Sequence, residues 1–497
     1  MDQIHFTLRD IRIVGAVTLP PQQFRPFYEG LIGHDITLRN IYDIADNIEA
    51  AYRNAGYLLV RAYVPPQHVK DGAFTIRVVE GFVAGTSVTG GGPAERAQVK
   101  AYLEPLLHER PLRLKTIERA LLLSNDIPGV SATGILRPAL QTPGASELAV
   151  TIAQPAITGG IAVDNRGSKF SGIWTVSGSA AVNSIFGNDQ LSATVTVSPN
   201  SLEQIAGQAR YDTLIGTDGL LGSLVVSATR GNPGSTLGQL DVITDSWAIG
   251  PRLSYPFIRT RTSTLRLEGG LTFQDAKIDL LHAPISHDQW RVFDIGLSYA
   301  SDDLWGGTLT SVLDLAQGLP ILGATPNNSP NISQGGTTNF TKLTGNFRYV
   351  VPLMNPVSLA FAGQGQYSFK PLITGEQILF GGTQIGRGYD PGAITGDRGI
   401  GASVELRYDT QLPAYAIQHL QPYAFFDTAK TWFMDRPAVI GPSLGDFKIA
   451  SLGAGLRFWF PYSIYADVEL AHTLDAVPGS DNGRTATKVL TDLAITF

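Results

Sequence analysis

From residue 155 to the end, apolar and polar positions alternate one for one in stretch after stretch. Leu265, Leu267, Leu271 and Phe273 interleave with Arg266, Glu268, Thr272 and Gln274, and Val404, Leu406 and Tyr408 with Glu405, Arg407 and Asp409. Leu452, Ala454, Leu456, Phe458 and Phe460 interleave with Gly453, Gly455, Arg457 and Trp459. Ile464, Ala466, Val468 and Leu470 do so with Tyr465, Asp467 and Glu469. A period of two marks strands whose faces see different surroundings, and here the polar face carries charges of both signs. No helical pattern of useful length interrupts the tract. At roughly 20 residues per strand and connection it holds about 16 strands.

Residues 5–155 read differently. Phe6–Val14 predicts a strand, and Pro20-Pro21 opens a short helix reaching Ile32. Leu38, Ile41, Ala45, Ile48 and Tyr52 recur at helical spacing before a terminating Gly56. Tyr57–Val64 and Ala73–Glu80 then read as strands. The order repeats: strand Val83–Thr89, helix Glu95–Leu107, helix Leu114–Ser124 with Leu114, Ile117, Leu121 and Leu122 inward, then strands Val130–Leu136 and Glu147–Ala153. Two tandem β-α-α-β-β modules, or a generic α+β pair, precede the β tract.

Composition narrows the class. The chain has 497 residues, no cysteine, 54 glycines, 30 prolines and 16% charged residues. Its mean hydropathy is +0.05. No run of about 18 uncharged apolar residues is present, so helical spanning is not expected. Composition alone fits either a large soluble β-protein or an outer-membrane barrel. The length of the uninterrupted tract favours the barrel, as does its last strand: Val489, Thr491, Leu493, Ile495 and Phe497 alternate up to a terminal phenylalanine, the usual assembly signal of such barrels. The net charge of −6 argues against nucleic acid as a partner. Met1-Asp2-Gln3-Ile4-His5 lacks a basic n-region and an apolar h-region, so the chain as given is either cytosolic or a mature form without its signal peptide.

The densest chemistry lies in 380–400, FGGTQIGRGYDPGAITGDRGI. Its glycines permit positive φ and close backbone approach, so a tightly folded loop is expected. Arg387, within Arg387-Gly388-Tyr389, needs a partner if it is buried. Gly396-Asp397-Arg398-Gly399 follows. Enzyme motifs fail here. Gly386 and Gly388 begin a dinucleotide-type pattern, but Gly392 falls one residue late and no helix follows. Gly441-Pro442-Ser443-Leu444-Gly445 fits a nucleophile elbow formally, in a predicted turn without a following helix. His282 and His287 lack zinc-like spacing. No enzyme activity, cofactor or metal is expected. Glycines near Asn327-Asn328 and Gly335-Gly336 mark a long extracellular loop.

With two small modules before a long barrel and this segment late in it, the chain resembles the two-partner secretion transporters. These are outer-membrane proteins that export filamentous haemagglutinins, haemolysins and related exoproteins. The resemblance covers nearly the whole chain. Residues 1–82 and 83–154 are similar to the paired periplasmic POTRA domains, 155–497 to the barrel, and 380–400 to the loop that folds into its lumen. Asp164-Asn165-Arg166-Gly167-Ser168, followed by Gly172, resembles the opening of the first barrel strand. The resemblance implies that Arg387 contacts an acidic residue in a Phe-x-Asp-x-Gly motif on the wall. Phe425-Phe426-Asp427-Thr428-Ala429 is the match, with Ala429 in place of the last glycine. Asp427 is thus the candidate partner, and exchanging the Arg387 and Asp427 charges is expected to restore part of what single changes lose. The family's N-terminal plug helix has no counterpart in the chain as given.

The fold expected is therefore an all-β transmembrane barrel of about 16 antiparallel strands behind two small α/β POTRA domains. The function implied is a protein translocase: the modules receive an unfolded exoprotein carrying an N-terminal secretion domain, by strand augmentation or beside the 114–124 helix, and the pore conducts it. Arg266, Glu268, Glu405, Arg407, Asp467 and Glu469 are the expected lumen lining. Outer-membrane lipid and, during biogenesis, the barrel-assembly machinery are the further partners of an expected monomer. The alternatives are a barrel-assembly or insertion factor of the same superfamily and a diffusion porin; porins lack the periplasmic modules.

Overall fold

The computed structural model of the protein describes residues 5–69, 72–139, 142–199, 202–412, 417–436, 445–477, 480 and 483–497. The chain divides into two compact units, Met1–Gln154 and Pro155–Phe497.

The first unit contains β1 (His5–Thr7), β2 (Asp10–Val14), β3 (Asp35–Thr37), α1 (Leu38–Asn54), β4 (Val60–Tyr63) and β5 (Ala73–Glu80). These are followed by β6 (Phe82–Gly90), α2 (Pro93–His108), α3 (Leu114–Asn125), β7 (Ser131–Pro138) and β8 (Ala145–Ala153). Sheet order is β2-β5-β4 in the first module and β6-β8-β7 in the second, with β1 and β3 paired apart. α1 starts where the Asn40 side chain accepts from the Thr37 N–H at 2.9 Å, and it ends near Gly56 at φ +87°. Its buried stripe, Ile41, Ile44, Ala45, Ile48 and Tyr52, packs with Phe24, Phe74, Ile76 and Val78.

Three expectations change here. The predicted strand Phe6–Val14 breaks into β1 and β2, because the chain turns at Leu8 to bury that side chain fully. The helix after Pro20 is two 3₁₀ segments, Pro21–Phe27 and Glu29–Leu31; Pro26 has no N–H to continue an α-helical ladder. In α3 the buried residues are Ile117, Ala120, Leu123 and Ser124, and Leu114 is exposed.

The second unit is a closed barrel. Its strands are β9 (Ile157–Asp164), β10 (Thr175–Asn183), β11 (Asp189–Val197), β12 (Gln204–Ile215), β13 (Leu220–Gly231), β14 (Ile243–Arg259), β15 (Ser263–Leu280), β16 (Ala283–Leu304), β17 (Gly307–Gly318), β18 (Thr341–Met354) and β19 (Val357–Ser368). After a small hairpin, β20 (Ile378–Phe380) with β21 (Ile394–Gly396), the wall resumes with β22 (Arg398–Tyr408), β23 (His419–Trp432), β24 (Phe447–Phe460), β25 (Ile464–Thr473) and β26 (Thr487–Thr496). All sixteen wall strands are antiparallel to their neighbours, and β26 closes on β9 with Leu493 opposite Val163 and Ile495 opposite Ile161. Closure leaves no unpaired edge for lipid to meet.

Burial inverts the rule for soluble proteins. Leu406, Leu452, Val468 and Leu470 are exposed on the outside, whereas Glu405, Asp427, Ser451 and Glu469 are buried inside. The segment 319–340, expected as an extracellular loop, folds in part against the inner wall: Phe340 packs with Trp290, Val292, Leu372 and Ile373.

Candidate functional site

The chain between β19 and β22 turns into the lumen, with β20 and β21 at its base. Ile378, Phe380, Ile385, Tyr389 and Ile394 pack on Ala429, Ile449 and Val477 in a small apolar cluster against the inner wall. This fastens the loop by burial before any charge is counted. Gly386, at φ +84°, turns the chain. Gly388 lies so close to the wall that a β-carbon there would sit 3.0 Å from Thr473 Cγ2 and 3.1 Å from Ser451 Cβ. The Tyr389 hydroxyl donates to Ala450 O at 2.9 Å and accepts from Asp475 N at 3.0 Å.

Arg387 is delivered to the wall between these contacts and is only 6% exposed. Its Nη1 donates to Glu405 at 2.7 Å and lies 3.5 Å from Glu469; its Nε donates to Asp427 at 3.3 Å and Nη2 to Ser403 at 3.3 Å. The Arg387 backbone N–H also donates to Asp427, at 3.2 Å. Asp427 accepts in addition from the Ser451 hydroxyl, which itself accepts from Gly388 N at 3.2 Å. The carboxylate therefore holds the loop by backbone as well as by side chain.

Phe425 has a physical role in the same site. It stands opposite Gly453 across the β23–β24 pair, and Tyr423 opposite Gly455. A β-carbon at either glycine would come within 2.5 Å of the facing ring. The rings therefore lie flat on the wall and present their faces inward. Arg387 stacks on Phe425 at 3.4 Å from the ring centre, and Arg457 on Tyr423 at 3.8 Å. Each stack is glycine, aromatic ring, guanidinium.

The network extends well beyond the expected pair. Glu405 also accepts from Arg457 at 2.8 and 3.0 Å and from Arg407 at 2.6 Å. The Tyr423 hydroxyl donates to Glu469 at 2.8 Å and Asp467 at 3.0 Å. Arg166 pairs with Asp492 at 2.7 Å and Glu469 at 3.2 Å. Sequence reasoning brought Arg387 and Asp427 together; the closest carboxylate on Arg387 is Glu405, which that reasoning placed only in the general lining. Its signal was available, since Glu405 and Arg407 share the polar face of a charged alternation. The geometry argues against the charge exchange: an aspartate at 387 would face Glu405 and Glu469.

The rest of the motif divides between loop and wall. Gly396 ends β21, while Arg398 and Gly399 begin β22 in the wall, outside the loop proper. Asp397, fully buried, accepts from Leu372 N and Met434 N, each at 2.8 Å, and from Arg436. Arg436 also donates to Gln334 O at 2.6 Å. This pair clasps the lumen loop to segments 319–340 and 433–436. Arg398 donates to Ser368 O at 2.9 Å and stacks on Tyr367.

The Asp164–Gly172 motif sits at the end of β9 and in the turn after it, not at the strand's opening, and sends Arg166 inward. Phe497 exchanges two 2.9 Å backbone hydrogen bonds with Gly159 of β9. Glu268 accepts from Ser298 at 3.2 Å on another part of the wall, well apart in sequence from the Arg387 network. His282 and His287 pair with Asp241 and Asp275, and among the described residues no cluster suits a metal ion. Residues 441–444 of the elbow-like pattern lie outside the described residues.

A family model described as haemolysin secretion/activation protein ShlB/FhaC/HecB matches residues 144–458, and one described as POTRA domain, ShlB-type, matches residues 6–81. The chain is 25% identical over 457 residues to the heme/hemopexin transporter protein HuxB of Haemophilus influenzae (strain 86-028NP), covering 89% of this chain and 79% of that one. It is 26% identical over 424 residues to the outer membrane transporter CdiB of Dickeya dadantii (strain 3937), covering 82% and 73%. The solved structure of CdiB from Escherichia coli shares the fold, with a TM-score of 0.75 at 20% identity over 99% of this chain and 91% of that one.

Proposed function

Because the chain belongs to the haemolysin secretion/activation protein family, it is a two-partner secretion transporter of the outer membrane with periplasmic POTRA modules, and we propose how its parts divide the work. Residues 1–82 and 83–154 are the two POTRA domains and 155–497 the barrel. The modules capture an unfolded exoprotein through its N-terminal secretion domain, offering sheet edges for backbone pairing. The barrel acts as a monomer, embedded in outer-membrane lipid after insertion by the barrel-assembly machinery. Arg387, Gly388 and Tyr389, held by Asp427 and Phe425, keep the loop against one side of the lumen, and Asp397 with Arg436 keeps its outer part in place.

The exported chain passes along the opposite wall. There β10 to β13 turn Ser177, Ser192, Thr194, Thr196, Gln208, Ser227 and Thr229 inward, with Ser179 paired to Thr194 and Ser227 to Gln208. Short hydroxyls exchange hydrogen bonds with a moving backbone and hold none of it as a charge would. Folding of the client outside supplies direction, since no nucleotide is available in the periplasm.

The observation that carries this reading is a closed cylinder in which a fastened loop leaves a hydroxyl-lined face free. The test uses a host lacking this gene and expressing a candidate large exoprotein that carries an N-terminal secretion domain. Secretion restored by the wild-type chain, with porin levels unchanged throughout, supports export. A fall in porin assembly with secretion unaffected would establish the rival barrel-insertion role.

A further inference from the structure

Between the lumen loop and strands β17, β18, β19 and β22 lies a cavity of about 310 Å³. Arg348, Arg387, Arg407 and Arg457 line it, against the single carboxylate of Glu405. Glu405 is shared by Arg387, Arg407 and Arg457, with Asp427 also on Arg387 and Asp467 3.8 Å from Arg457, so Arg348 is left without a carboxylate of its own. Donor counting sharpens the imbalance. Arg457 spends its two Nη groups on Glu405 and Gln421. Arg407 donates to Glu405 through Nε at 2.6 Å, and among the described residues its Nη groups have no partner. Arg348 projects into open lumen with no hydrogen bond or ion pair among the described residues; the charges acting on it are Arg407, Glu405, Arg457 and Arg387.

The register explains why the position stays open. Arg348 stands opposite Thr310 on one side and Ala362 on the other, and Ala362 stands opposite Ser403. None of these short side chains fills the space or supplies a negative charge. Thr383 and Gln384 at the exposed loop tip close the cavity with neutral polar groups.

We propose that this cavity is an oxyanion-binding site within the lumen, with Arg348 and Arg407 as its free forks. A planar guanidinium takes two oxygens of a carboxylate or phosphate at once, which suits both an acidic side chain of the polypeptide in transit and a free phosphate. An anion seated here bridges the mobile cargo to the wall beside the loop without displacing the Arg387 anchor. For its natural occupant the site rests on the export reading. Conductance needs no client, so failure of the site and failure of export are read separately.

The experiment measures ion current through the full-length protein in planar bilayers at low salt, where screening is weakest. The probes are inorganic phosphate and a short oligoglutamate peptide. Concentration-dependent block is expected, and Arg348→Gln should raise the half-blocking phosphate concentration about tenfold, the effect of losing a charged hydrogen-bonding partner. Arg348→Lys, which keeps the charge and loses the fork, should fall between. Arg210→Gln, on the hydroxyl wall, should block as the wild type does. Block by both probes assigns the site to the chain in transit, and block by phosphate alone assigns it to the free ion; both support it. Absence of block in the wild type, or equal block in Arg348→Gln and Arg348→Lys, overturns it.

Discussion

The two sides of one lumen are built on opposite principles. On β22 to β26, together with Arg166 after β9, the inner face is a web of guanidiniums and carboxylates, stacked aromatic rings and a small apolar cluster. On β10 to β13 it is largely serine, threonine, glutamine and alanine, with one ion pair, Arg210 to Asp212 at 2.8 Å. Both faces are polar and both alternate with lipid-facing residues, so local secondary structure does not distinguish them. Directionality of bonding does. Forked ion pairs fix one geometry, while hydroxyls accept many. One wall therefore holds an object still, and the other lets one move.

The sharpest way to break this contrast is Arg387→Ala. It leaves Asp427 buried without its cation and takes one of three guanidiniums from Glu405, a loss on the order of 3–5 kcal/mol. Secretion should fall about a hundredfold or more, the equivalent of about 3 kcal/mol, while the barrel still inserts; normal secretion would remove the anchor from the mechanism. The double variant Arg387→Asp with Asp427→Arg should be no better than the single changes, and recovery of export would show Asp427 to be the dominant partner after all.

Gly453→Val comes next. Its side chain would collide with the Phe425 ring and lift it from beneath Arg387. Export should drop several-fold, measured against Gly178→Val, a position where a β-carbon meets nothing within 4 Å. Equal behaviour of the two variants would dismiss the ring stack. Asp397→Asn loosens the outer clasp and should raise resting ion leak with export nearly intact, read as single-channel current. On the opposite wall, Thr194→Val and Ser227→Ala should change export by no more than about twofold. A large loss from either would mean that this face binds specifically.

The smallest effect lies in the first module. Glu80 accepts from Val17 N, Thr18 N, the Thr18 hydroxyl and the Tyr52 hydroxyl. Burial opposes its charge, but these donors outweigh burial and hold its carboxyl below the usual range. A depressed folded value stabilises the charged form. Its contribution is complete above the ordinary glutamate range near pH ~4.3 and is lost as pH falls through the depressed value. Amide protection at Thr18 and along α1, taken relative to the intrinsic exchange rate at each pH, should be high at neutral pH and fall on acidification below that range. Glu80→Gln should weaken this dependence.

Much of this was legible in the residues. The alternation of Leu452, Leu456, Val468 and Leu470 with Arg457, Asp467 and Glu469 gave strands and their faces, because a period of two needs no knowledge of neighbours. Ile41, Ala45, Ile48 and Tyr52 gave α1 for the same reason. The break at Leu8 was not visible, since alternation within 6–14 says nothing of which sheet each half joins. Arg387 and Asp427 were matched through motif resemblance, whereas Glu405 and Arg166 entered the network only once strands distant in sequence were placed side by side.

By itself, then, the sequence determined most of the elements, the strand faces, the closed β architecture and the presence of a glycine-rich loop with one arginine needing a partner. Tertiary structure decided which carboxylates answer that arginine, which glycines make room for which rings, and which arginine is left with no acid opposite it. The reason is physical. Periodicity is set by backbone geometry within a few residues, whereas an ion pair forms at about 3 Å between side chains whose meeting depends on register across the whole wall.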